Sequence, residues 1–355
     1  MKVLITGVCG FVGSVLARVL VREIEGLEIV GLDNLSRPGS ELNRAQFREG
    51  PVRVVHGDVR NPSDLEGLSK VDWVIDAAAN PSVLAGVDAQ TSSRQLMEHN
   101  LLGTLNLLEL CKRHDSGLVL LSTSRVYSLT RLCALPVLER GEALEPDVKA
   151  ANEPGLSQEG ISETFSTDPP VSLYGSAKLA SELVSLEYGS AFGLPVFINR
   201  CGVLAAAGQF GKADQGIFSF WIHSYQARRP LKYIGFGGTG HQVRDCLHPA
   251  DLASLVAMQL RHPDRAGQVV NVSGGISNSM SLAQLSRWCS KRFGKHTVSA
   301  DPGSRPFDVP WLVLDSSKAK AVWGWQPSLS LETILEEIAE HARLNPGWLE
   351  LTAGG

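Results

Sequence analysis

Tyr174 and Lys178 stand four residues apart in Tyr174-Gly-Ser-Ala-Lys178, a spacing that on a helix puts a phenol and an ammonium on one face, one turn apart. A phenol alone, with a pKa of about 10, is a poor base at neutral pH, but a neighbouring cation favours its ionised form. The pair reads as a base for a hydroxyl proton, with Lys178 lowering the phenol and also binding the nicotinamide ribose of a dinucleotide. Thr123, in Leu121-Ser-Thr-Ser-Arg-Val-Tyr127, closes an apolar run at the end where ligands sit in open α/β sheets, and its hydroxyl can bridge to the same substrate oxygen. Tyr and Lys at this spacing occur often by chance, so the reading depends on what surrounds them.

The surroundings are a phosphate-binding turn and its carboxylates. Gly7-Val-Cys-Gly10-Phe-Val-Gly13 follows the first apolar run directly and opens a helical period. Gly7 permits the tight turn, Gly10 lets the backbone approach a pyrophosphate, and Gly13 lets helix and sheet pack closely. The free N–H groups of that helix then face the phosphates. Asp33 ends the second run, where a carboxylate accepts hydrogen bonds from both ribose hydroxyls and repels a 2′-phosphate, which favours NAD over NADP; Arg37 is the residue that tolerates such a phosphate. Asp58, in His56-Gly-Asp58, is a second carboxylate where an adenine amino group would lie. Ala77-Ala78-Ala79-Asn80 offers small side chains for a cofactor to lie against.

These residues need a parallel sheet to position them. Val3 to Ile5, Ile29 to Leu32, Val52 to Val55, Trp73 to Ile75 and Leu118 to Leu121 read as buried strands, with Val196 to Asn199 after Pro195. Between the first strands lie helical periods such as Val12, Leu16, Val19 and Leu20. Such alternation means an α/β fold of Rossmann type, a doubly wound parallel sheet covered on both sides. The expected domains are 1–200 for the dinucleotide, with an insertion at about 129–170 near the site, and 201–355 as a smaller α/β lobe from which some segments return to the large domain. The insertion holds Pro136, Pro146, Pro154, Pro169 and Pro170 without strong periodicity, and reads as a long loop, either covering substrate or a surface excursion. In the smaller lobe, Leu282 to Phe293 and Leu331 to Leu344 read as helices. Two lobes around one cleft are expected.

Composition excludes several classes. With 33 basic against 37 acidic residues, a net charge of −4 leaves no basic field for DNA or RNA. The six cysteines lie far apart without metal or redox spacing, and read as buried reduced thiols; no metal is expected. No apolar run reaches the roughly 20 residues that span a bilayer. Met1-Lys-Val-Leu-Ile-Thr enters a strand at once rather than a secretory leader, so a cytoplasmic location is expected.

With Gly7, Gly10, Gly13, Asp33, Asp58, Asn100 (in Asn-Leu-Leu-Gly-Thr-Leu-Asn-Leu-Leu-Glu109), Thr123, Tyr174 and Lys178 at motif positions, the chain resembles the extended short-chain dehydrogenase/reductase family, in its nucleotide-sugar epimerase and dehydratase branch. The resemblance covers nearly the whole length. It implies a tightly held NAD that takes a hydride from a sugar carbon and returns it. It places cofactor contacts at Gly7, Gly10, Phe11, Val12, Asp33, Asn34, Ser36, Arg37, Asp58, Val59, Ala77, Ala78, Ala79, Asn100, Ser122, Tyr174 and Lys178, and catalysis on Thr123, Tyr174 and Lys178. It also implies a homodimer through helices at about 91–113 and 172–192.

Members that eliminate water carry an Asp-Glu pair after the threonine, and decarboxylases a Glu; this chain has Ser124 and Arg125 there, neither of which supplies a carboxylate. Epimerisation survives the comparison. Gln209-Phe210, Asp214-Gln215-Gly216 and Gln242-Val-Arg244-Asp resemble most closely the CDP-tyvelose (CDP-paratose) 2-epimerases. By that resemblance Pro81, Ser124, Arg125, Gln209 and Gln215 meet substrate, Arg244 and Arg305 grip the diphosphate, and Asp308 contacts the nucleoside ribose. Tyr233 is either a stacking partner for the base or plain core, and His248 is a structural hinge. Ser128, the stretch Arg200-Cys-Gly-Val-Leu-Ala205, and Ala78 with Ala79 depart from the pattern and leave open the sugar, the base (a CDP- or UDP-hexose) and the carbon. A UDP-sugar 4-epimerase, a dehydrogenase or reductase with net cofactor turnover, and a non-catalytic NAD-binding protein remain alternatives.

Overall fold

The computed structural model describes residues 1–87, 92–212 and 215–353. Asp214, in the second of the signatures quoted above, and the first residue of the helix expected from 91 lie outside them. The chain divides into two compact units that interleave along the sequence. The first comprises Met1–Val126, Leu173–Cys201 and Pro249–Val270; the second comprises Tyr127–Ser172, Gly202–His248 and Asn271–Gly355.

The first unit is built on a seven-stranded sheet: β1 (Lys2–Thr6), β2 (Glu28–Asp33), β3 (Val52–His56), β4 (Trp73–Asp76), β5 (Gly117–Thr123), β6 (Val196–Cys201) and β7 (Gln268–Val272), in the order β7-β6-β5-β4-β1-β2-β3. Strands β1 to β6 pair in parallel. Their side chains are apolar on both faces because helices cover both, and Leu4, Val30, Val74, Leu118, Leu120 and Ile198 are each 3% exposed or less. Burying a side chain of this size contributes about 2 kcal/mol. The strand order reverses between β1 and β4, and at such a switch point the carboxyl ends leave a crevice for ligand.

The helices of this unit aim particular residues at those ends. Phe11–Glu23 begins at the glycine turn and packs against Pro249–Arg261. A second helix starts at a capping box in which Ser92 and Gln95 satisfy each other's backbone donors. It runs through Ser93–Met97, a π-turn at Glu98–Leu102, and Gly103–His114. The third, Ser172–Phe192, carries Tyr174 and Lys178.

Among the described residues, the second unit holds only two- and three-stranded sheets. Val243–Asp245 lies between Ser279–Ser281 and Trp311–Leu312, and Leu231–Ile234 pairs in parallel with Val298–Asp301. Its core joins helix Ile217–Gln226, through Trp221 and Ile222, to Leu285 of Leu282–Phe293 and to Ile334, Leu335 and Ile338 of Leu331–Leu344. The stretch 129–170 is not the loop its weak periodicity suggests. It folds into helix Leu129–Ala134, a hairpin of Val137–Arg140 with Ala143–Pro146, helix Val148–Ala151, and a second hairpin of Leu156–Ser157 with Gly160–Ile161. Elements of two to six residues complete too few periods to leave a pattern. Five of the six cysteines are buried; Cys133, in the first of these helices, is exposed, contrary to the expectation for all six. No described helix is long and apolar enough to cross a membrane.

Candidate active site

The glycine turn is held by its own backbone. The Gly7 N–H donates to Leu32 O at 2.8 Å and the Gly10 N–H to Gly7 O at 2.9 Å. Gly7 has φ +64°, and a Cβ on Gly13 would lie 2.2 Å from Gly7 O, so neither position accepts a side chain. Gly10 caps the following helix with no side-chain hydrogen bond, which leaves the first N–H groups, those of Phe11 and Val12 among them, facing outward with the positive end of the helix dipole.

Asp33 is nearly buried behind this turn. Its Oδ2 accepts the Cys9 N–H at 2.8 Å and its Oδ1 the Leu35 N–H at 2.8 Å. Burial raises its carboxyl above the usual range, while the N–H groups of Leu35, Cys9 and Gly10 pull it back. The carboxylate thus organises the turn, and its remaining lone pairs are what a ribose would meet. Asn34 donates to Asp58 Oδ2 at 2.9 Å and accepts the Ser36 N–H at 3.0 Å. Asp58 is gripped by Arg60 through Oδ1 at 2.9 Å and Oδ2 at 2.6 Å, which holds it well below the usual carboxylate range. Arg37 is half-buried at the same rim, and Val59 is buried beside the helix bearing Asn100.

A buried network at the switch point fixes the next segment, and sequence reasoning missed it. The Thr6 hydroxyl donates to Asp76 Oδ1 at 3.0 Å and accepts the N–H groups of Ala77 and Ala78 at 3.1 and 3.0 Å. Thr104 bonds the other Asp76 oxygen at 2.7 Å. Asn100, in the π-turn, clamps residue 80 from both sides, accepting the Asn80 N–H at 2.8 Å and donating to Asn80 O at 2.9 Å. The exposed Ala79 and Pro81 are held at fixed positions by this clamp. Asp76 ends β4 as Asp33 ends β2, a position the sequence does display.

Thr123, Tyr174 and Lys178 come together in the first unit. Thr123 ends β5 in register with Cys201 of β6, and its hydroxyl is near enough to Tyr174 to favour the ionised phenol. Burial pushes the Tyr174 phenol up to about 12; the Thr123 hydrogen bond and the Arg125 charge act in the opposite direction. Lys178 is not among the groups that act on the phenol, so the expected lowering by it is not seen, and desolvation outweighs Thr123 and the Arg125 charge. Lys178 is 2% exposed. Burial lowers its ammonium, opposed by Asp76, Cys201 and Glu182. Glu182, one turn further along the same helix, accepts Arg200 Nη2 at 2.7 Å and also the Ser122 hydroxyl. Ser124 is buried beside Thr123, and Arg125 is half-exposed.

NAD fits the first unit on two grounds. Its turn excludes any Cβ where a pyrophosphate approaches, and Lys178, 2% exposed and within electrostatic reach of Asp76 and Glu182, stands one helical turn from Tyr174.

In the second unit Arg244 reaches Asp308 Oδ1 and Val309 O through Nη2, at 2.6 and 2.8 Å, and Val243 O through Nη1 at 2.7 Å. Burial lowers the guanidinium, and Asp308 opposes this. The two residues that the resemblance sends to diphosphate and ribose are therefore partners of each other. Arg305 lies close enough for its charge to act on Arg244. Asp245 accepts the Val203 N–H at 3.0 Å, the Leu314 N–H at 2.9 Å and the Ser273 hydroxyl, so the strand bearing Arg244 is pinned on three sides.

Gln209 Nε2 donates to Leu204 O at 2.8 Å, while its Oε1 is buried without a hydrogen-bond partner among the described residues. The Trp348 indole donates to Gln209 O at 2.9 Å, and its ring stacks on Phe210. Gln215 pairs with Lys212 through both backbone groups. One face of Tyr233 lies against Trp221, with centroids 5.6 Å apart and planes 14° off parallel. His248 bonds Glu337 at 3.0 Å just before helix Pro249–Arg261.

The chain is 30% identical over 350 residues to a CDP-paratose 2-epimerase of Salmonella typhi, covering 95% of this chain and 98% of that one. It is 28% identical over 354 residues to a UDP-glucuronate 4-epimerase of Thermodesulfobacterium geofontis, covering 96% of each. The structure of Thermus thermophilus UDP-glucose 4-epimerase complexed with NAD superposes with a TM-score of 0.75 at 25% identity, over 97% of this chain and 99% of that one. With its residues 3–273 matching the family profile, the chain belongs to the NAD dependent epimerase/dehydratase family.

Proposed function

We propose that the protein inverts one hydroxyl-bearing carbon of a nucleotide-activated sugar, and that it is a UDP-sugar 4-epimerase. The observation that carries the reading is the Thr123–Tyr174–Lys178 set with Ser124 and Arg125, not carboxylates, where an eliminating acid would stand. NAD, when bound, supplies the hydride acceptor and donor at the sugar carbon. Tyr174 takes the hydroxyl proton and returns it; Thr123 shares that oxygen and keeps the phenol oriented; Lys178 holds the nicotinamide ribose from its buried position. Arg244 and Arg305 bind the diphosphate, with Asp308 beside Arg244; Gln209 meets substrate from the same unit. Much of the acceleration comes from holding the reacting atoms in place.

UDP-sugar 4-epimerases among the relatives support the C4 reading. A CDP-sugar 2-epimerase is the second reading, favoured by the Salmonella typhi match and by the quoted signatures. Leu102, Leu105, Leu183 and Phe192 are exposed on the helices ending at His114 and Phe192, which supports pairing of two copies through them. The location proposed is the cytoplasm.

The test incubates the NAD-loaded protein with UDP- and CDP-sugars in heavy water, following stereochemistry by NMR and absorbance of NADH. C4 inversion of a UDP-sugar, without net NADH or carbon-bound deuterium, is the expected result, and Tyr174→Phe should lower the rate by about 10²- to 10⁴-fold. Inversion only at C2 of a CDP-sugar would select the second reading. Net NADH would replace both with a dehydrogenase.

A further inference from the structure

We infer that Trp348 is a positioning residue of the substrate site, holding Gln209 so that its carboxamide offers the ligand a single acceptor, Oε1, and that the group meeting this atom is a hydroxyl of the nucleotide-sugar. This deepens the proposed function and rests on its placing of Gln209 against substrate.

Three donors converge on the main-chain oxygen of Gln209. The Trp348 indole N–H reaches it at 2.9 Å, the Gly211 N–H at 2.9 Å and the Ser219 hydroxyl at 3.4 Å. The Trp348 ring also stacks on Phe210, with centroids 5.9 Å apart, so one side chain grips two successive residues. Trp348 is itself held. Its N–H donates to Asn345 O at 3.0 Å, Thr352 Oγ1 donates to Trp348 O at 2.9 Å, and the rings of Trp348 and His341 meet nearly at right angles, 4.7 Å apart. It opens the six-residue helix Trp348–Ala353, which buries Leu349 and Thr352 and pairs Glu350 with Arg229. A helix that short is not stable alone, so its docking and its grip on Gln209 depend on each other.

With its main chain fixed, the carboxamide has one way to lie. Nε2 donates to Leu204 O at 2.8 Å, and a carbonyl accepts only from the nitrogen end, which leaves Oε1 as the end on offer. A Cβ on Gly216 would stand 2.9 Å from Gln209 Cδ and 3.2 Å from Oε1, and Gly216 has φ +72°, so glycine at 216 gives the amide its room. Lys212 and Gln215 close the turn between these residues with backbone bonds of 2.7 and 3.0 Å. Two signatures that stand apart in the sequence, Gln209-Phe210 and the one ending in Gly216, are therefore one local structure. Gln209 is 9% exposed, and its Oε1 has no partner among the described residues. Native proteins leave few such atoms without a donor. Folding has already stripped water from Oε1, so a ligand donor gains the hydrogen bond without that desolvation. A phosphate or carboxylate oxygen would set a second acceptor against it, whereas a nucleotide-sugar carries most of its donors as hydroxyls.

The experiment titrates UDP-glucose and CDP-glucose into NAD-loaded wild type, Trp348→Phe, Gln209→Met and the double variant by calorimetry, with NAD affinity, KM and kcat measured alongside. Trp348→Phe keeps a ring on Phe210 and removes the N–H; Gln209→Met keeps the bulk and removes the acceptor. Each single variant should bind the preferred nucleotide-sugar about 10-fold more weakly and raise KM, with kcat and NAD affinity unchanged, and the double variant should bind no more weakly than Gln209→Met. Additive losses, or no loss in Trp348→Phe, overturn the positioning role, because a tryptophan that only supports the fold does not act through Gln209. Analogues with one sugar or ribose hydroxyl replaced by fluorine identify the donor: one of them should lose about 10-fold in wild type and nothing further in Gln209→Met. If none does, the hydroxyl assignment falls. Wild-type affinity in Gln209→Met removes Gln209 from the substrate and this inference with it. Inversion at a carbon other than C4, with the affinities as expected, overturns the 4-epimerase reading alone.

Discussion

Each unit of the protein contains an arginine–carboxylate pair, and the two are built for different ends. Arg200 and Glu182, in the first unit, have side chains 9% and 3% exposed; both Glu182 oxygens are engaged by the guanidinium, and one also takes the Ser122 hydroxyl. Arg244 and Asp308, in the second, are each 12% exposed and share a single carboxylate oxygen, with Arg244 leaning on two backbone carbonyls. In the first pair every strong site is used within the protein, so it is a structural bolt beside the catalytic helix. In the second, the guanidinium is oriented by one carboxylate oxygen and two backbone carbonyls, and under the proposed function its other donors serve the diphosphate. Burial and satisfaction, more than residue type, separate a charge spent on the fold from one proposed to bind.

Breaking the first pair should have the largest effect. Glu182→Gln leaves Arg200 as a buried cation without its counter-charge, and the expected loss is about 3–5 kcal/mol of stability, read as a shift in the denaturant midpoint. A loss below 1 kcal/mol would mean that the pair is not the bolt described here. Arg244→Gln should show the opposite balance. UDP binding is expected to weaken by about 10- to 100-fold in calorimetric titration, with a smaller change in midpoint than Glu182→Gln causes. Equal stability losses in the two variants would erase the distinction between the pairs.

A smaller effect sharpens the contrast through pH. In the second unit burial, together with the charges of His341 and Arg229, pushes His223 down to about 3 from an ordinary 6.5. The folded state keeps this imidazole neutral while the unfolded state protonates below 6.5, so the unfolded chain binds more protons in that window. Stability from this group is complete above 6.5 and is lost as pH falls toward 3. His223→Gln should therefore flatten part of the fall in Tm between pH 7 and pH 4; an unchanged slope would place the acid sensitivity elsewhere.

The chemistry of the first unit was largely legible in the sequence. Glycines spaced at a strand-to-helix junction, an aspartate ending β2, a threonine ending β5, and a phenol and ammonium one helical turn apart each depend on local geometry. Local geometry is what residue spacing encodes. The supporting layer was less legible. Thr6, Asp76 and Thr104 lie far apart in the chain and meet only because β1 and β4 are neighbours. The partnership of Arg244 with Asp308 joins positions 64 residues apart, and spacing carries no record of it. Helices Leu282–Phe293 and Leu331–Leu344 were readable to the residue because an amphipathic period of three or four turns leaves a pattern. The elements between 129 and 170 were not, since they are too short to leave one.

By itself, then, the sequence determined the parallel α/β architecture, the glycine turn at its first strand-to-helix junction and the choice of NAD, and it proposed the base and its helper. All of these follow from periodicity and from contacts within a turn or two of chain. The tertiary structure alone decided how the chain is shared between its two units and that Asp33 organises the glycine turn. It also decided that burial raises the Tyr174 phenol despite the Arg125 charge, and that Arg125 is the half-exposed member of a buried turn. Those properties are sums over neighbours distant in sequence, and desolvation has no value until the fold has chosen those neighbours.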